Sequence, residues 1–594
     1  MIQSFSKYVS ATILGCFFTL VIFIQNAFCQ LQPSASDEIQ HRITLATNRI
    51  LYGKAPKMDE KFILADIFPD KNEPRRFDEF NGDISGRYIS AMCALPKELR
   101  PSLLHTVLNK IILSQNKDGR IGNANLSYEV DSIGSRQMAQ LWGNGRMLVA
   151  LIDYAEAYDN DEKSKNAAIK LGNFLVKIIE NCSKQEVRKR LVGLPAYSFI
   201  CFTQCNEGLV RLAKLTGNIK YAKLAEQVQQ VLEPRANQHS HGYMLTLRGA
   251  ILNYLYFKNS SNLTFAKIRY DSLVNSNDYL ITGGVAEIFG PKPAPYGPND
   301  EGCSEADFFA LSIQLWQATN DISYLEKAEY CLLNHFFYNQ FETGEFGHHT
   351  FDGDKGFRLG NQEIKSWWCC TFHGLQQLIM AQNAIITKID KSIQIQLFLN
   401  KEYKDATFEC IWHKIPSNNT HFQLTILKNA DSNKVTIRKP SWAVSTSLTI
   451  NGITRTPVET DGYIYLPSNL KSKDVVQILF NHKVKLVTIE KKSYSLDNFP
   501  TNVRGALING PYLMVVDGTA APDYLSEPMD DNFIIADSTF VPQRSFLFNK
   551  PTNGFLYKHQ GFSGLNPLLM RPLSCMSLER HTYLNYNFKW ARKP

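Results

Sequence analysis

From about residue 37 to residue 390 apolar positions recur at helical spacing, broken by short clusters of Gly, Asn and Asp. One phrase keeps returning: the end of an apolar helix, a polar turn, then a second helix. It is seen in YAEAYDNDEKSKNAAIKLGNFL, LAKLTGNIKYAKLAEQV, YLYFKNSSNLTFAKIRYDSL and LWQATNDISYLEKAEYCLL. Each reads as a helical hairpin, and with the intervening segments they predict roughly a dozen helices. Helix pairs repeated at this spacing predict an α/α toroid or solenoid. Beyond about Ser392 the period changes to two, in SIQIQLFL, ATFECIWHK, HFQLTILK, KVTIRKP and DGYIYLP, with Asn, Asp, Gly and Ser turns between. This half predicts a β-sandwich. The last hundred residues, including VRGALINGPYLMVVDG, either complete it or form a second one. The chain is thus expected to be multidomain α+β, with an N-terminal α/α toroid over 30–390 and C-terminal β-sandwich domain or domains over 391–594.

Residues 1–29 stand apart. One lysine precedes an apolar run over about 11–24, and small and polar residues follow, which reads as a secretory signal peptide cleaved near Cys29 or Gln30. The competing reading is a retained membrane anchor. Export places the mature protein in the periplasm or outside the cell. The formal charge of +8 is spread over charged residues of both signs that make up 20% of the chain, without long blocks, so nothing asks for nucleic acid. Of the twelve cysteines, Cys16 and Cys29 fall in the leader. The rest show no small-domain disulfide framework, and Cys369 and Cys370 are adjacent, a strained pairing with which metal binding competes well. Cys93, Cys182, Cys201, Cys205, Cys331, Cys410 and Cys575 read as buried thiols or unassigned bridges.

Two stretches could carry chemistry. In YLITGGVAEIFGPKPAPYGPNDEGCSEADF the helical pattern lapses for about twenty residues, long for a connection inside a compact domain, and such loops on rigid scaffolds are where sites are built. Glu301 and Cys303 lie two apart in it, so both can reach one ion. In EIKSWWCCTFHGLQQL, Cys369 and Cys370 open a helix, where the positive end of the helix dipole eases thiol ionisation. Three thiolates and a carboxylate make a four-coordinate Zn2+ site. Spacing alone leaves this and separately buried cysteines both open.

The helical half, the GGVAEIF segment, the EGC segment after it and WWCC opening a later helix together resemble glycoside hydrolase family 127 and its relatives, which include β-L-arabinofuranosidases. The resemblance spans essentially the whole mature chain. It implies a retaining exo-glycosidase with a zinc-bound cysteine nucleophile, acting on a terminal sugar of an oligosaccharide or polysaccharide; the leader is expected to export it. Carried over, it makes Cys369 the nucleophile, Glu287 the general acid and base, and Glu301, Cys303, Cys369 and Cys370 the zinc ligands. Two departures bear on the sugar more than on the reaction: a shorter stretch between Gly284 and Glu287, and Thr371-Phe372-His373-Gly374 after the cysteine pair in place of Pro-Pro-Asn. Glu305 and Asp307 are rival acids.

His241 resembles a substrate-contacting histidine of this family, against a satisfied structural histidine; His239 is its weaker neighbour. Trp142-Gly143-Asn144-Gly145-Arg146 could form a sugar-stacking wall with an Arg clamp, or a tightly packed helix start. His373 is expected to bind substrate or orient the cysteine. Asp83 and Arg87 read as an intrahelical ion pair, and His348-His349 as a solvent-exposed pair. A homodimer, if one forms, is expected through the β-sandwich. Two other classes remain at this stage: a catalytically silent glycan-binding protein with a structural zinc, and a polysaccharide lyase on the same architecture.

Overall fold

The computed structural model describes residues 37–68, 79–192, 194, 198–290, 300–352, 358–415, 417, 419–488, 490–501, 503–517, 533–544, 551–560, 568–576 and 583–591. The expected leader lies outside them, as does 291–299 of the long loop.

Six inner helices form a closed ring in which each packs on the next: α1 (Asp83–Ala94), α2 (Ser135–Ala157), α3 (Cys205–Thr216), α4 (Ser240–Phe257), α5 (Gly302–Thr319) and α6 (Trp368–Ala384), which returns to α1. Six outer helices alternate with them along the chain: Glu38–Tyr52, Leu103–Ser114, Glu162–Cys182, Lys220–Gln229, Ser260–Val274 and Ile322–Cys331. The sequence separates the two kinds. In the outer Glu162–Cys182 the buried positions Ala167, Ala168, Leu171, Phe174, Leu175, Ile178, Ile179 and Cys182 make one stripe, with charge on the other face. The inner α5 is buried without a break from Gly302 to Trp316, as a helix walled in on all sides must be. This is the toroid that the hairpin phrases predict.

After Ala384 the chain is built mainly of strands. One sheet runs Val458–Thr460, Tyr463–Tyr465, Lys434–Arg438, Ser392–Ile395, Ile386–Ile389. A second runs Ile453–Arg455, Ser445–Ile450, Val475–Asn481, Thr420–Asn429, Phe408–Ile415, Lys401–Lys404. Alternate residues of their central strands, such as Val435 and Ile437 against Trp412, Leu424 and Ile478, fill the layer between them. Arg438, wholly buried, ties this sandwich to the ring by pairing with Glu329 of an outer helix. The C-terminal strands form a further, eleven-stranded sheet with hydrophobic clusters of its own, around Leu486, Leu507 and Trp590 on one side and Val515, Leu573 and Leu584 on the other.

One feature escaped the helical reading of residues 37–390. Phe346–Asp352 and Arg358–Trp367 are an antiparallel hairpin, and its second strand pairs with Tyr583–Asn585, so the toroid lends two strands to the C-terminal sheet. The partner strand is more than two hundred residues away, beyond the reach of any local period.

Candidate active site and metal centre

Helices α1, α4, α5 and α6 point their N-termini to one end of the ring. Their first turns carry Asp83, His241, Cys303, and Cys369 with Cys370. Four dipoles thus present their positive ends to a single place, which favours anionic side chains there. Glu301 stands at the N-cap position of α5, but its carboxylate does not cap the helix. Its Oε2 instead accepts the Ser304 hydroxyl at 3.1 Å and lies 3.3 Å from His239 Nε2.

The ligand atoms of Glu301, Cys303, Cys369 and Cys370 lie within 4.8 Å of one another. Cys303 Sγ and Cys370 Sγ are 3.6 Å apart, Cys369 Sγ and Cys370 Sγ 3.9 Å, and Cys370 Sγ and Glu301 Oε1 3.9 Å. A tetrahedral zinc with Zn–S bonds of about 2.3 Å sets its sulfurs about 3.8 Å apart, so donor chemistry and spacing both fit such an ion. All ten cysteines among the described residues are free thiols, the adjacent pair included.

Burial pushes the Cys303 thiol up to about 12 and, with the Cys303 charge, the Glu301 carboxyl up to about 7. Hydrogen bonds from Cys303 and Cys370 pull the Cys369 thiol down to about 5, against burial and with help from Arg87. Of the three thiols Cys369 is thus the one most readily ionised, since burial pushes Cys303 and Cys370 the other way. Ionising all four needs a cation among them.

Beside Cys369 lies a cavity of ≈ 230 Å³, enough for one sugar ring. Cys369 lines it, while Cys303 and Cys370 are sealed behind. Glu287, Glu301, His239, His241, His348 and Arg87 supply polar wall, and Phe80, Trp142, Trp367 and Trp368 aromatic wall. Glu287 sits between two imidazoles, its Oε2 3.4 Å from His348 Nδ1 and its Oε1 3.8 Å from His239 Nε2. Burial opposes a charge on His348, but Glu287 outweighs it and lifts that imidazole to about 9.

Arg87 joins the wall to the sulfurs. Its Nε donates to Asp83 Oδ1 at 2.7 Å, Nη1 to Cys303 Sγ at 3.4 Å and Nη2 to His241 Nε2 at 2.8 Å. The intrahelical ion pair read from the sequence is present, buried at the cavity rather than on a solvated face. Trp142 Nε1 also donates to Asp83, at 3.0 Å. Burial and the two arginines Arg87 and Arg146 hold the His241 imidazole well below its usual range, so it is neutral. It therefore accepts at Nε2 and gives its Nδ1 proton to Asp307.

Behind this wall Asp307 is saturated by His241, by Arg248 Nη1 at 2.6 Å and by His373 Nε2 at 2.9 Å. His241, Asp307 and His373 are close enough to suggest a second metal site. Three arginines around them, Arg87, Arg146 and Arg248, already supply the positive charge.

Among the residues expected to touch substrate, Trp142 and His241 line the cavity, whereas Arg146 and His373 stand one layer back. Trp142–Arg146 lies inside α2 and not at a helix start as expected, and Gly143 and Gly145 belong to packing there: a Cβ would come within 2.1 Å of Asn81 O and 2.2 Å of Gln204 Nε2, respectively. The rival acids Glu305 and Asp307 are wholly buried off the cavity, and burial together with Asp300 raises the Glu305 carboxyl far above its usual range. The exposed reading of His348-His349 is corrected. His348 faces the cavity, and His349 is buried, its Nδ1 2.8 Å from Asp300 Oδ2. Both lie on the strand Phe346–Asp352, part of the hairpin that the helical reading passed over.

The family model for the β-L-arabinofuranosidase GH127 catalytic domain matches residues 42–383, and that for the GH127 middle domain matches residues 392–482. The chain belongs to this family. It is a β-L-arabinofuranosidase-like glycoside hydrolase with a carbohydrate substrate, and the lyase and silent-binder readings fall away. Two solved GH127 structures share the fold. The β-L-arabinofuranosidase Ara127N of Geobacillus stearothermophilus T6 has 13% identity over 95% of this chain and 100% of that one, with a TM-score of 0.67. The GH127 β-arabinofuranosidase BT3674 has 14% identity over 95% and 98% of the two chains, with a TM-score of 0.70. A search of curated proteins finds no match.

Proposed function

We propose that this GH127 member is an exported, retaining, exo-acting β-L-arabinofuranosidase, with Cys369 as nucleophile, Glu287 as general acid and base, and Glu301, Cys303, Cys369 and Cys370 as ligands of a zinc ion. The observation that carries this reading is the unequal exposure of the three sulfurs: Cys369 alone among them meets a one-sugar cavity that Glu287 also lines. When bound, zinc would supply the positive charge that lets three thiols and a carboxylate ionise in a buried site.

The chain's own residues do the rest. Cys369 Sγ attacks the anomeric carbon while Glu287 protonates the glycosidic oxygen, so a C–S bond forms, the C–O bond breaks and the aglycone leaves as an alcohol. Glu287, now a carboxylate, takes a proton from water as that water attacks the same carbon, and the C–S bond returns its electrons to sulfur. Two inversions leave the configuration retained. Trp142, Trp367 and Trp368 supply aromatic wall for the sugar, and Arg87 steadies the Cys303 sulfur beside the nucleophile. The apolar run over 11–24 supports export, which brings the enzyme to its glycan.

Metal analysis tests the site. One zinc per chain is expected in the purified protein, absent from Cys303→Ala and Glu301→Ala together with activity. Ser304→Ala, which removes the hydrogen bond to Glu301 Oε2, is expected to weaken zinc affinity by about 10–100-fold, the usual cost of losing a ligand's hydrogen-bond partner. An active protein without zinc, carrying a Cys369–Cys370 disulfide, overturns the assignment.

A further inference from the structure

The hydrolytic scheme leaves one buried array unused. Glu305 lies two residues beyond Cys303 on α5, wholly buried and off the cavity. Its Oε1 and Oε2 accept the backbone N–H of Val285, two residues before Glu287, at 3.1 and 3.3 Å. A second tie holds the same turn: the Thr282 hydroxyl meets His335 Nδ1 at 2.6 Å. The other nitrogen of that ring, Nε2, lies 2.8 Å from Asp300 Oδ2, and Asp300 directly precedes Glu301. The turn has no slack. A Cβ at Gly284 would come within 2.3 Å of His335 Nδ1 and 2.4 Å of Glu305 Oε2.

Downstream, the Glu287 carbonyl accepts the Ser240 N–H at 2.8 Å and the Ser240 hydroxyl at 3.0 Å, which anchors that peptide to α4. Upstream the anchors are Glu305 and His335. They refer the segment 282–287 to one of the two stretches of chain that deliver the proposed metal ligands, the one running from Asp300 through the first turn of α5. Position therefore passes from the sulfur site to Glu287 through a few short hydrogen bonds.

We propose that Glu305, supported by His335 through Thr282, is the positioning residue for Glu287, setting where that carboxyl stands relative to the Cys369 sulfur without touching sugar or sulfur. This rests on the hydrolytic reading above, in which Glu287 gives the proton. Proton transfer is steeply sensitive to placement, and a displacement of about 1 Å can cost about a hundredfold.

The test compares kcat/KM, which covers only the first, protonated step, for methyl and 2,4-dinitrophenyl β-L-arabinofuranosides. A methoxide leaving group needs the proton; a dinitrophenolate does not. Glu305→Ala is expected to lower kcat/KM about a hundredfold on the methyl glycoside and no more than about twofold on the dinitrophenyl glycoside, with zinc content unchanged. Thr282→Val, a milder change, is expected to give about a tenfold loss with the same preference. Glu305→Gln keeps an acceptor for Val285 N–H and is expected to restore most of the rate. A mere loss of folded protein lowers both substrates alike. Equal losses on both, or no loss on either, overturn the proposal, and Thr282→Val decides it if Glu305→Ala does not fold. Glu287→Gln is the reference: if it too lacks the leaving-group preference, the hydrolytic reading fails. If it shows the preference and the Glu305 and Thr282 variants do not, only the positioning role fails.

Discussion

Cys369→Ala is expected to lower kcat by about a thousandfold or more, because no covalent route remains once the attacking sulfur is gone. Cys370→Ala also disturbs the metal site, so activity alone does not separate nucleophile from ligand. Trapping does. An epoxide or haloacetamide shaped like the substrate should alkylate the sulfur that can align behind the departing oxygen, and peptide mapping should find the adduct on Cys369. The structure gives the reason: Cys369 faces the cavity, whereas Cys370 is fully buried behind it against Cys303 and Glu301. An adduct on Cys370, or on Glu287 or Glu305, overturns the mechanism and leaves the metal site standing.

Glu287→Gln is expected to keep fold and zinc while cutting kcat/KM on glycosides with poor leaving groups by about a hundredfold or more, the usual scale for a lost general acid. On a dinitrophenyl glycoside the first step should survive and the second, which needs a base, should not. A burst of dinitrophenol followed by slow turnover is therefore expected in stopped-flow absorbance. Glu287 lies against His239 and His348 and is not one of the four proposed ligands, so metal loss is not the expected cause of the defect. Near wild-type turnover on the methyl glycoside would remove Glu287 from the mechanism. Glu305 and Asp307 are poor substitutes, since Glu305 is committed to Val285 and Asp307 to two histidines and an arginine.

The ligand cluster was legible in the chain because its parts are local. EGC and WWCC each bring their donors together within three residues at a helix start, and the family resemblance joined the two halves. His348 was not legible. A histidine pair in a Gly-flanked polar stretch looks solvated until the hairpin carrying it is paired with a strand near the C-terminus. Arg87 was half legible: its spacing from Asp83 foretold the ion pair, but not that the remaining guanidinium nitrogens would reach Cys303 and His241.

What the sequence determined by itself is whatever depends on the period of side chains along one element. That covers the repeated helical hairpins, the change to period-two strands after about residue 390, and the placing of thiols at helix N-termini, where the dipole favours their ionisation. The tertiary structure decided what depends on closing the ring. Closure brings α6 against α1, so that Arg87 reaches the sulfurs; it seals Cys303 and Cys370 while leaving Cys369 at the cavity, and it stacks Glu305 and His335 beneath the turn that carries Glu287. These contacts join residues far apart in the chain, 216 positions for Arg87 and Cys303, and no local pattern records them, because burial of one side chain is set by which distant helix lies against it.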